Sequence, residues 1–201
     1  MNQQLNKNSM NFEKFTECFF QELQSCLNEV QVEQVKKAVE MLKEAYCQDK
    51  QIFFIGNGGS ASTASHFATD LAKGVAIEGK RRFRALSLTD NVAMISAIGN
   101  DIGFEEVFSE QLKPLVNRED LVIVISASGN SPNVVNAVKF AKSKGAIVLG
   151  LVGFGGGIVQ SIAAQSMVFN SQHYGHVETV HLFLQHLIVH YFMESLKVDA
   201  T

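Results

Sequence analysis

From Asn11 to about Lys50, apolar side chains return every three or four positions: Phe12, Phe15, Phe19, Phe20, Leu23 and Leu27, then Val32, Val35, Ala38, Val39 and Leu42. That period predicts two amphipathic helices. Their Phe-rich faces are broader than a solvent-facing helix needs, so they are expected to pack on the main body or on another subunit. Beyond Lys50 the pattern changes to short β-branched or aromatic runs separated by helical segments: IFFIG at 52–56, FRALSL at 83–88, LVIVIS at 121–126, AIVLGLVG at 146–153 and SMVFN at 166–170. Runs that are apolar at every position suit strands covered on both faces, the parallel arrangement of a doubly wound sheet. A last helix is predicted from about Gly175 to Lys197 on Val177, Val180, Leu184, Leu187, Ile188 and Tyr191. With no internal linker, low-complexity tract or repeat, the pattern predicts one α/β domain over 1–201. Its parts are an N-terminal helical pair in 1–50, then a five-stranded, mainly parallel sheet flanked by helices and a long C-terminal helix in 51–201.

Composition narrows the setting. At 201 residues and 46% hydrophobic the chain can bury a substantial core, and it is too short for several domains. A net charge of −3, with 17 Lys and Arg residues in no long basic block, gives no reason to expect nucleic acid. A small anion is still allowed, because backbone amides bind phosphate without net positive charge. Cys18, Cys26 and Cys47 lack CxxC spacing and read as reduced thiols of a cytoplasmic protein. The polar start MNQQLNKNSMNFEK lacks the apolar core of an export signal, and no run reaches the roughly 18–20 residues of a membrane span.

In open parallel sheets ligands bind outside the carboxyl ends of the strands, and there this chain places its unusual residues. GNGGS (56–60) follows IFFI, SASGNS (126–131) follows LVIVI, and GFGGG (153–157) follows IVLGLV. Pro132 suits a first helical position, which makes Ser131 a natural N-cap. The helix's orphan amides, its positive end and the hydroxyls of Ser126, Ser128 and Ser131 together suit a phosphate monoester. An ordinary turn rich in small caps would look similar, but a second such loop at GNGGS argues against coincidence. Gly56, Gly58 and Ala61 also fit a dinucleotide GxGxxG/A pattern, with Glu78 near the distance of a ribose-binding acid. That reading leaves the three serines without a role.

His66 and Asp70 are four apart, on one helical face. Glu178 and His186 are eight apart, about two turns, on the last helix. Two imidazoles and two carboxylates could hold zinc or a similar ion. Spacing alone does not choose among His176, His181, His186 and His190, each of which has an equally good surface or structural reading. No nucleophile elbow, Walker A motif or HExxH occurs. An acid–base pair beside a phosphate cradle suits proton transfer on a sugar phosphate.

GNGGS at 56–60, HFATDL at 66–71, GND at 99–101 followed by GF, SASGNS at 126–131 and HVETVHLFLQH at 176–186 resemble the sugar isomerase (SIS) fold and, within it, the phosphoheptose isomerases. Those enzymes convert sedoheptulose 7-phosphate to D-glycero-D-manno-heptose 7-phosphate through an enediol. The resemblance covers nearly the whole chain. It implies substrate contacts at Asn57, Gly58, Gly59, Ser60, Asp70, Asn100, Asp101 and Glu178, and a phosphate loop of Ser126, Ala127, Ser128 and Ser131. It also implies zinc ligands at His66, Asp70, Glu178 and His186, Asp70 as base, His186 as acid, and a homotetramer with active sites between subunits. Two positions depart from the family pattern, which has Glu at Asp70 and Gln at Glu178. A carboxylate one methylene shorter sits back by roughly 1 Å, and misplacement of that size can cost on the order of 100-fold. The two changes would compensate each other if Glu178 restores charge, and an altered pair would also suit an isomerase for another ketose phosphate. The replication-initiation regulator DiaA, which binds the initiator DnaA, resembles the same family without isomerase activity and lacks its acidic residue in the HFA segment. Asp70 and His186 favour an enzyme over that reading, and over a SIS module that only senses a sugar phosphate.

Overall fold

A computed structural model describes residues 11–198. Residues 1–10 and 199–201, and with them part of the 1–201 domain expectation and most of the polar leader, lie outside the described residues. Two helices come first, α1 (Phe12–Asn28) and α2 (Val32–Cys47). Asn11 starts α1 as an N-cap, its side chain accepting from the Lys14 amide at 3.0 Å.

Strands and helices then alternate: β1 (Gln51–Ile55), α3 (Gly59–Thr69), β2 (Arg84–Ser87), α4 (Val92–Asp101), α5 (Val107–Leu112), β3 (Leu121–Ser126), α6 (Pro132–Ser143), β4 (Ile147–Gly153), α7 (Gly157–Ile162), β5 (Gln165–Phe169) and α8 (Tyr174–Val198). The five strands form one sheet in the order β2-β1-β3-β4-β5, and every pair is parallel. Each expected strand is present within a residue or two, and the last helix runs Tyr174–Val198 against the expected 175–197.

Alternation along the strands explains the layers. Phe54, Ile123, Ile125 and Leu151 face one side, where they meet Leu42 of α2, Phe67 of α3 and Val180, Leu184 and Ile188 of α8. Phe53, Ile55, Val124 and Val152 face the other, against Val107, Phe108, Val134, Val138 and Val159 on α5, α6 and α7. Burying each such side chain contributes about 1.5–3 kcal/mol. Both faces of β3 are covered, which is why LVIVIS carries no polar position before Ser126.

The N-terminal helices divide their faces as the pattern requires. Cys26, Ala38, Leu42 and Ala45 enter the core, and Phe19 packs on the rings of His173 and His176. Phe12 and Phe20 stay exposed, at 74% and 64%. Among the described residues no helix is long and apolar enough to cross a membrane, and Cys18, Cys26 and Cys47 are free thiols.

Strand order reverses direction between β1 and β3. The loops leaving these two adjacent strands therefore flank the crevice in which doubly wound sheets bind ligands.

Candidate active site

The first wall grows out of β1. Gly56 lies so close to its surroundings that a Cβ would stand 2.7 Å from the Ser60 carbonyl and 2.9 Å from that of Ile125. Gly58, at φ 55°, turns the chain into α3, whose N-terminus has no side-chain cap. The Ala61 amide bonds the carbonyls of Asn57 and Gly58, while those of Gly59 and Ser60 have no partner among the described residues and carry the positive end of the helix dipole. The Glu178 carboxylate from α8 sits over Gly59, in the space a Cβ there would fill.

Along α3, His66 and Asp70 meet as their spacing predicts, with His66 Nε2 at 3.1 Å from Asp70 Oδ2. At Asp70 the helix widens into a π turn, Asp70–Gly74, closed by the Val75 amide on the Asp70 carbonyl at 3.0 Å. Single π turns of this kind concentrate at functional sites. From α8, His186 meets His66 with the two rings nearly perpendicular and their centroids 5.0 Å apart. One donor atom each from His66, Asp70 and His186 fall within 4.8 Å of one another. Two imidazoles and a carboxylate so converged match the three-ligand donor set of a catalytic divalent-metal site. Glu178 lies outside this group.

Of the four histidines of α8 that spacing left open, His186 alone joins this group among the described residues. His176 and His181 are buried, and His190 is not in the group. Burial pushes His181 down to about 4; the Val152 carbonyl counters this only in part, short of a well-formed hydrogen bond. His176 is lowered mainly by burial and further by His173, against a small opposing effect of Glu22.

The second wall is the serine loop after β3. Ser126 Oγ accepts from the Gly129 amide at 3.1 Å and Ser128 Oγ from the Asn130 amide at 3.2 Å. Ser131 stands at the N-cap of α6 with Pro132 next, as expected, yet its hydroxyl does not cap. The Val134 amide it would serve is taken by Asn133 Oδ1 at 2.9 Å. Ser131 is thereby left to line a cavity of about 100 Å³ with Asn57, Ser60, Ser126, Ala127, Ser128, Tyr174 and Glu178. A neighbouring cavity of about 390 Å³ is walled by Gly59, Ser62, Thr63, His66, Gly175, Glu178, Thr179 and Leu182. Glu178 belongs to both.

Asn100 and Asp101 are not brought in. They end α4 exposed and paired to each other at 2.7 Å, and line neither cavity.

Three contributors were not anticipated. Asn133 exchanges two amide hydrogen bonds with Asn57, both 2.9 Å. Gln185, fully buried, donates from Nε2 to Asp70 Oδ2 at 2.7 Å. A polar residue four after His181 on the core stripe of α8 is the signal that could have found it. Finally, GFGGG and the start of α7 brace the serine loop: the Gly153 amide bonds the Ala127 carbonyl at 2.9 Å, the Val159 amide the Gly129 carbonyl at 3.0 Å and the Ile158 amide Asn130 Oδ1 at 2.9 Å.

The profile of the SIS domain family matches residues 18–153. Phosphoheptose isomerase 1 of Campylobacter jejuni is 38% identical over 162 residues, 81% of this chain and 87% of that protein. The phosphoheptose isomerase of Helicobacter pylori is 36% identical over 78% of this chain and 81% of its own. Among solved structures, phosphoheptose isomerase GmhA from Neisseria gonorrhoeae superposes with a TM-score of 0.83 at 29% identity, covering 90% of this chain and 98% of that one.

Proposed function

Since the chain belongs to the phosphoheptose isomerase family of SIS-domain proteins, we propose that it interconverts sedoheptulose 7-phosphate and D-glycero-D-manno-heptose 7-phosphate through an enediol. The observation that carries this reading is the pair of cavities sharing Glu178: serine hydroxyls line one, and His66 of the three-donor group lines the other. A ketose phosphate has the same two-ended chemistry, with a phosphate to anchor and a carbonyl carbon to work on.

In this reading Ser126, Ala127, Ser128 and Ser131 bind the phosphate through hydroxyls and amides, aided by the positive end of α6. Asn57, Gly58, Gly59 and Ser60 border the sugar, and Glu178 accepts hydrogen bonds from its hydroxyls. Asp70 removes the proton from the carbon next to the carbonyl and returns it to the former carbonyl carbon. His186 moves a proton between the two oxygens. Oδ2 of Asp70 is already engaged by His66 and Gln185, while Oδ1 accepts no hydrogen bond among the described residues, which supports Oδ1 as the basic atom.

His66, Asp70 and His186 would hold a divalent cation, zinc by the donor set. When bound, it supplies positive charge that polarises the substrate oxygen. Asn100 and Asp101 reach a site contributed by a neighbouring subunit of a homotetramer. Their absence from the linings of these two cavities and the exposed apolar side chains of α1 and α8 support that assignment. The three free thiols support a reducing, cytoplasmic setting. The test is direct: purified protein with sedoheptulose 7-phosphate, with and without zinc, followed for aldose formation. Absence of turnover with this and other ketose phosphates would reject the reading.

A further inference from the structure

We propose that Gln185 is the positioning residue for Asp70: its buried carboxamide commits Oδ2 of the carboxylate and so leaves Oδ1 to the reacting proton. The inference rests on the isomerase reading above and deepens it.

Packing gives no reason for an amide at this position. Gln185 is 0% exposed, and its neighbours on the inner stripe of α8 are Leu184, Ile188 and Val189. Its Oε1 has no hydrogen-bond partner, so the residue carries the cost of an unpaired buried carbonyl that Leu or Met would avoid. Against this stands one interaction, Nε2 to Asp70 Oδ2 at 2.7 Å. The amide's orientation follows from chemistry: a carboxylate only accepts, so the NH₂ end must face it.

Asp70 is 27% exposed in its side chain and sits where α3 gives way to the π turn. Two donors, His66 from its own helix and Gln185 from α8, converge on one of its oxygens. His66 Nε2 is also a candidate metal donor, and if it is diverted to a cation, Gln185 alone still holds the carboxylate to α8. Because Gln185 precedes His186 in the chain, the same helical turn places the acid and fixes the base.

Gln185→Met keeps the length of the side chain and removes the N–H. A crystal structure of this variant should show the Asp70 carboxylate out of its present rotamer. With sedoheptulose 7-phosphate, kcat should fall by about 10- to 100-fold while KM stays within about threefold. Its melting temperature should equal or exceed that of the wild type, since an unsatisfied carbonyl is gone. Gln185→Leu should behave alike. An unmoved carboxylate, an unchanged kcat, or a loss of rate matched by a loss of folded protein would each overturn the proposal. Should the wild type turn over no ketose phosphate, the isomerase reading fails, and the carboxylate's position in the variant still decides whether Gln185 holds it.

Discussion

Asp70 gathers more of the site's chemistry than any other residue: a hydrogen-bonding histidine, a buried amide and the start of a π turn all meet on it. Asp70→Asn keeps its shape and removes the proposed base, so kcat should fall by at least about 100-fold with KM little changed and the fold intact; a steady-state assay beside a melting curve checks both. His66→Ala should lower metal content without unfolding the protein, read by elemental analysis after dialysis. His181 makes a separate prediction. Its folded value of about 4 lies below the usual 6.5, so the unfolded chain binds the proton more readily. The stability this contributes is fully present above pH 6.5 and is lost as pH falls toward 4, on the order of 3 kcal/mol in all. His176, lowered by burial, acts in the same direction. Denaturant titrations between pH 7 and 4.5 should show the slope, and His181→Leu should flatten it. The spacing of His66 and Asp70 was legible because a helix brings fourth neighbours together. Spacing did not choose His186 over His176, His181 and His190, since that depends on how α8 is rotated against α3; only the family resemblance pointed to it.

At the level of elements, β1, β3 and β4 were readable for a physical reason: strands buried on both faces must be apolar at every position. The helices of the N-terminal pair were readable from their period, including the excess of Phe that leaves Phe12 and Phe20 exposed. Loops were readable only in part. The serines announced an anion site, yet Ser131 gives up its capping role because Asn133 takes the amide first, a competition between neighbours that composition does not encode. Nor could the sequence say that GFGGG braces the serine loop. That brace is tight: at Gly129, with φ 62°, a Cβ would lie 2.1 Å from the Gly156 carbonyl, and at Gly157 one would lie 2.4 Å from that of Ser128. Backbone meets backbone at both points, so nothing flexible can yield. Gly129→Ala should destabilise the protein by about 1–3 kcal/mol and raise KM for the phosphorylated substrate more than it lowers kcat. Thermal melts with and without inorganic phosphate would check this, the variant losing most of the stabilisation that phosphate gives the wild type.

On the scale of the whole molecule, the crevice between β1 and β3 explains why two glycine- and serine-rich loops far apart in the chain become one site. It does not bring Asn100 and Asp101 there, and they remain exposed at the end of α4. If they serve a neighbouring subunit's site, two inactive variants should complement each other. Asp70→Asn and Asp101→Ala, refolded together, should recover part of the wild-type rate through mixed oligomers that contain an intact site, whereas each alone stays inactive. Exposed Phe12, Phe20, Phe183 and Tyr191 are the apolar side chains that such an assembly would cover. The central claim remains that this constellation isomerises a ketose phosphate. Its most direct test is the appearance of D-glycero-D-manno-heptose 7-phosphate when wild-type protein and zinc meet sedoheptulose 7-phosphate. The account predicts steady turnover that Asp70→Asn and His186→Ala each lower by at least about 100-fold, and turnover near the wild-type rate in either variant, or none in the wild type, would contradict it.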